Sequence, residues 1–121
     1  MARASPEASL QRSVFDWLRH VGVPGLIFFH VPNGLVSNPR AVCRMKREGL
    51  TSGVPDICLV RPGGTAAFLE LKSPTGRQTP AQRAFQQLCE SNGTPYAIAR
   101  TIDEAIKALS SWGCIKKVGI A

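Results

Sequence analysis

The stretch Gly53-Val54-Pro55-Asp56-Ile57-Cys58-Leu59-Val60, with Arg61-Pro62-Gly63-Gly64 and Thr65-Ala66-Ala67-Phe68-Leu69-Glu70-Leu71-Lys72 after it, decides the architecture. Two short apolar runs rich in strand formers flank a Pro-Gly-Gly turn, which predicts a β-hairpin. Side chains alternate across a strand, so Phe68, Glu70 and Lys72 share one face while Ala67, Leu69 and Leu71 share the other. A loop of about five residues sets Val60 against Ala66 and Asp56 against Glu70. Directly opposed residues have Cβ atoms roughly 4.5–5.5 Å apart, and two carboxylates that close repel each other unless a cation lies between them. Mg²⁺ or Mn²⁺ is the economical occupant. The alternative is an ordinary solvated Glu70–Lys72 ion pair. Against it, the two strands are otherwise strongly apolar and Pro55 stiffens the backbone just before Asp56.

At these residues the chain resembles the Pro-Asp…Glu-x-Lys nuclease superfamily. Gly53-x-Pro55-Asp56, Glu70-Leu71-Lys72 and the later Thr79-Pro80-x-Gln82 together look like the virus-type replication-repair nuclease (VRR-NUC) domain, from about Glu7 to about Trp112. The resemblance implies a restriction-endonuclease-like α/β core, a mixed central sheet flanked by helices. It implies that Asp56, Glu70 and the Leu71 main-chain carbonyl hold one or two Mg²⁺ or Mn²⁺ ions. Lys72 would then orient the attacking water and offset transition-state charge. It further implies DNA, branched or flapped, as the substrate. Family members that occur as a lone domain are dimeric four-way-junction resolvases, so a homodimer is expected.

Length and composition agree with this expectation. The 121 residues suit one nuclease domain over 1–121, with a core of about 7–112 and a tail of 113–121. The hydrophobic fraction of 44% argues for a folded globule, and the apolar runs are too short to cross a bilayer. The start, Met-Ala-Arg-Ala-Ser-Pro, lacks the apolar centre of a signal peptide. The expected location is the cytoplasm of a bacterial or phage-infected cell, with no membrane partner and no organic cofactor. Cys43, Cys58, Cys89 and Cys114 show no Cys-x-x-Cys spacing and read as reduced, mostly buried small hydrophobes. A formal net charge of +7 favours a polyanionic partner through counterion release.

In chain order, Ser5-Pro6 caps a first helix that runs to about Val21, before Gly22 and Pro24. Glu7, Leu10, Gln11, Val14, Trp17, Leu18 and Val21 follow helical spacing. Glu7 either favours the positive helix terminus at the solvent edge or, as the resemblance implies, joins the metal centre, with Gln11 one turn on. Leu26 to Val31 reads as a strand. His30-x-x-Asn33-Gly34 resembles the family's loop near the scissile phosphate, while a lone strand-end His is more often structural. Pro39 to Glu48 reads as a helix with Arg40, Arg44 and Arg47 on one face, a candidate phosphate-contact stripe. Arg77, in the polar loop Ser73 to Gln78, is a further candidate. Thr79-Pro80-Ala81-Gln82 fits a capping box opening a helix with core contacts at Phe85, Leu88 and Cys89, and Gln82 is explained either by capping or, through the resemblance, by facing the site. Pro95 to Arg100 is a strand, and Thr101 to Glu104 a second capping box on a helix ending near Trp112. Ile115, Val118 and Ile120 in the tail, with exposed parts of the first helix, are the candidate dimer surface. The expected order is α-β-α-β-β-α-β-α.

Overall fold

The computed structural model describes residues 5–32 and 38–116. The elements are α1 (Pro6–Val21), β1 (Ile27–His30), α2 (Pro39–Arg47), β2 (Ile57–Val60), β3 (Ala66–Leu71), α3 (Pro80–Asn92), β4 (Tyr96–Ala99) and α4 (Ile102–Ser111). Their order is the expected one. Each helix starts where a short polar side chain can accept an otherwise orphaned N–H: Ser5 from Ala8, Asn38 from Arg40, Thr79 from Gln82 and Thr101 from Glu104. The box at Thr101 is only half a box, because the Glu104 carboxylate accepts from the N–H of Arg100 instead (2.7 Å).

The four strands form one mixed sheet in the order β1-β2-β3-β4. β1/β2 and β2/β3 are antiparallel and β3/β4 is parallel, with α3 as the crossover that a parallel pair requires. The hairpin register is the anticipated one: Val60 lies opposite Ala66 and Ile57 opposite Leu69. Alternation then sorts the side chains. Leu69 and Leu71 of β3 join Ile57 and Leu59 of β2, Leu10, Val14 and Leu18 of α1, and Ala105 and Leu109 of α4 in the core cluster. Phe68 points the other way and meets Phe85 of α3 edge to face at 5.1 Å between centroids.

Three apolar expectations need correction. Leu88 is 64% exposed rather than a core contact; it lies three positions beyond Phe85, far enough round α3 to leave the sheet. Cys43 is exposed and Cys58 only partly covered, so two of the four cysteines are buried; all four are free thiols. Ile115 is buried at 7% exposure in its own chain, bridged to Gly22 at the end of α1. The N–H of Lys116 also donates to the Val21 carbonyl. Ile115 therefore closes the end of this fold and is not free for a second subunit. Val118, Ile120 and Asn33 lie outside the described residues. No helix among the described residues is long and apolar enough to cross a membrane.

Candidate active site

The site forms where β2 begins, β3 ends and α3 starts. Pro55 supplies no N–H to a ladder, and β2 begins two residues later at Ile57. The hairpin register carried one residue past Ile57 brings Asp56 opposite Glu70. There the Asp56 Oδ2 accepts the N–H of Leu71 at 2.8 Å, which fixes its carboxylate toward β3. Glu70 is 3% exposed and Lys72 8%, on a stretch whose neighbours are apolar. Their charged atoms, Glu70 Oε2 and Lys72 Nζ, lie 3.6 Å apart. An exposed pair of this kind stabilises little, but a buried one changes what each group can do.

Gln82 joins the group from α3, and both readings of it hold at once. Its backbone N–H and side-chain Oε1 complete the capping box with Thr79. The same Oε1 accepts from Lys72 Nζ at 2.7 Å while its Nε2 donates to Glu70 Oε2 at 3.2 Å. The cap thus holds the amide in the one orientation that can bridge the acid and the base. α3 comes this close because Gly53 lets it. Gly53 has φ +81, and a Cβ there would fall on the Ala81 carbonyl and 2.7 Å from the Gln82 nitrogen, all backbone atoms that cannot swing aside. Gly53→Ala is therefore expected to be destabilising by roughly 2 kcal/mol or more, lowering the melting temperature by on the order of 10 °C. A thermal melt within about 2 °C of the parent chain would contradict this packing.

Electrostatically the group is under tension. Burial first, and then the Asp56 charge, push the Glu70 carboxyl up to about 8, against which the Lys72 ammonium acts only in part. Glu70 Oε1 is also buried without a hydrogen-bond partner. An orphaned carboxylate oxygen beside a second carboxylate is a donor set suited to a hard divalent cation.

The other expected residues divide. Glu7 is exposed and its Oε1 accepts the N–H of Ser73 at 3.3 Å, next to Lys72. It is therefore near the site, yet among the described residues no three His, Cys, Asp or Glu side chains gather as a metal cage. His30 is exposed, and its Nδ1 lies 2.9 Å from the Asp56 carbonyl. A carbonyl only accepts, so Nδ1 carries the proton. His30 thereby supports the backbone of Asp56. Gln11 shares a shallow open pocket with Arg12, Phe15, Asp16, Arg19 and His30. Arg40, Arg44 and Arg47 are all exposed on α2, and Arg44 is loosely paired with Glu48 at 3.7 Å. Arg77 is exposed in the loop between β3 and α3. Arg100 was not anticipated: from the end of β4 it grips the turn just after Lys72. No sequence spacing joins residues 73 and 100; the parallel pairing of β3 and β4 does.

The profile of the VRR-NUC domain matches residues 32–102, more than half of the chain. A solved VRR-NUC domain protein shares the fold with a TM-score of 0.72 at 20% identity, covering 95% of this chain and 99% of its own. A second solved VRR-NUC domain gives a TM-score of 0.64 at 17% identity, over 90% of this chain and 99% of its own. No curated protein matches the sequence.

Proposed function

Because the chain belongs to the VRR-NUC domain family, a nuclease family, we propose that it is a Mg²⁺- or Mn²⁺-dependent DNA endonuclease. We place the chemistry at Asp56, Glu70, Lys72 and Gln82. The observation that carries this reading is the buried Glu70 carboxylate, with one oxygen unpartnered, set between Asp56 and Lys72. Asp56 and Glu70, with the Leu71 main-chain carbonyl, would hold the cation; Glu7, whose Oε1 accepts the Ser73 N–H, would add its other oxygen. When bound, such a cation polarises the scissile phosphate and acidifies the attacking water. Lys72 keeps its ammonium where charge grows on the phosphoryl oxygens. Gln82 aligns that ammonium through Oε1 and ties Glu70 through Nε2. Exposed Arg40, Arg44, Arg47, Arg77 and His30, with half-buried Gln11, supply contacts for the phosphate backbone.

The finer reading is a homodimeric resolvase of four-way junctions. One chain carries one such site, and symmetric resolution needs two nicks related by a two-fold axis. Since Ile115 is committed within its own chain, the contact would fall on other apolar surface. Ile27 and Phe29, 56% and 47% exposed on the edge strand β1, are the strongest choice. The test is cleavage of single-stranded, duplex, flap and four-way DNA alongside light scattering. A dimer that prefers the junction is the expected result. A monomer cutting flap or single-stranded DNA as well as the junction would replace the resolvase with a flap or single-strand nuclease. Binding without any cleavage would leave a nucleic-acid-binding module.

A further inference from the structure

Arg100 spends its guanidinium on backbone. Its Nη1 donates to the carbonyls of Ser73 (2.8 Å) and Gly76 (2.6 Å), the two ends of one tight turn that is itself closed by Gly76 N–H to Ser73 O. Among the described residues no carboxylate pairs with it. Charge-assisted bonds of this kind are roughly twice as strong as neutral ones. The N–H of Ser73 is held as well, by Glu7, so the first residue of the turn is gripped on both sides of its Cα.

What the turn covers is the lysine. A Cβ on Gly76 would stand 2.9 Å from Ser73 Oγ and 3.6 Å from Lys72 Cδ, so the Gly76 backbone lies directly over the Lys72 stem. The tip of that stem is tied to Gln82 and faces Glu70, and with the turn above it Lys72 is 8% exposed. We propose that Arg100 is a positioning residue: by tying Ser73 and Gly76 it keeps the turn closed over Lys72 and so holds Nζ between Gln82 Oε1 and Glu70 Oε2. The catalytic part of this inference rests on the nuclease reading; the geometric part does not.

The test uses the full chain as wild type, Arg100→Ala and Arg100→Lys, with two readouts. Acylation of lysines by an N-hydroxysuccinimide ester, quantified by mass spectrometry, reports whether Lys72 is covered; exposed Lys46 and Lys107 serve as internal standards. In Arg100→Ala, Lys72 labelling should rise about tenfold while the standards stay constant, as expected for a local opening. In the same variant kcat should fall roughly tenfold to a hundredfold with KM unchanged, the effect of a misplaced group. Arg100→Lys, which keeps a donor cation, should recover part of both. Arg100→Met keeps the stem but none of the donors to Ser73 and Gly76 and should match Arg100→Ala, which covers the case in which the latter fails to fold. Unchanged Lys72 labelling in a folded Arg100→Ala or Arg100→Met variant overturns the proposal. If labelling rises but the wild type cleaves no DNA, the clamp stands and the nuclease reading falls. If the wild type cleaves and labelling does not move, the clamp falls alone.

Discussion

Lys72→Ala is expected to lower DNA cleavage by roughly a hundredfold to a thousandfold, the usual effect of deleting one preorganised group that meets developing charge. The fold should survive the change. Glu70 Oε2 keeps the Gln82 Nε2 as a partner, and a carboxyl pushed up to about 8 stays largely protonated at neutral pH once its cation is gone. No uncompensated buried charge is therefore left behind, which is the usual reason such deletions unfold a protein. Most of the DNA affinity should persist too, because the exposed arginines of α2 and the loop before α3 are untouched. Cleavage rates, a melting curve and fluorescence anisotropy on labelled DNA check the three parts. A variant within tenfold of wild-type activity would remove Lys72 from the chemistry.

Glu70→Gln should separate stability from activity. The sign follows from the proton inventory. With Glu70 raised from 4.5 to about 8, the folded chain holds a proton across that interval that the unfolded chain has released. Stability from this group is full below about pH 4.5 and is lost as pH rises through about 8. The amide of the variant does not titrate. It can also still accept from Lys72 and Gln82 through its oxygen. The metal-free variant should thus melt with the wild type near pH 4.5 and above it at pH 9, by roughly 5 °C if only about 1 kcal/mol of the burial cost is realised. Activity should be lost at every pH, since the carboxylate proposed to hold the cation is gone. The wild type, in contrast, should recover its alkaline stability when Mn²⁺ is added. Melting curves across the pH range, with and without Mn²⁺, decide this; a variant less stable than the wild type at pH 9 would mean that Glu70 is buried as a satisfied structural acid.

Much of this architecture is legible in the residues because local signals agree with one another. Pro-Gly-Gly between two apolar runs gave the hairpin and its register, and Ser5, Thr79 and Thr101 marked helix starts that the structure keeps. The pairing of Asp56 with Glu70 followed from register alone. What period and capping do not carry is the path of the chain between elements. Arg100 reaches the turn after Lys72 only because β4 lies parallel to β3, a tertiary fact with no trace in spacing. Leu88 looked like core because helical period counts residues and not the width of the surface the helix rests on. Ile115 looked available because a short tail shows no sign of the bridge it makes to Gly22. Gln82 offered two explanations that sequence treats as rivals. The geometry makes them one, since the cap is what aims the amide.

The most direct measurement is the rate at which the purified wild-type chain cleaves a labelled four-way DNA junction, with Mn²⁺ and again with excess EDTA, beside Asp56→Ala. Metal-dependent nicking that vanishes in EDTA and in Asp56→Ala is the predicted result. Cleavage that persists undiminished in EDTA, or in Asp56→Ala, would contradict the assignment of this carboxylate pair to metal-assisted phosphodiester hydrolysis.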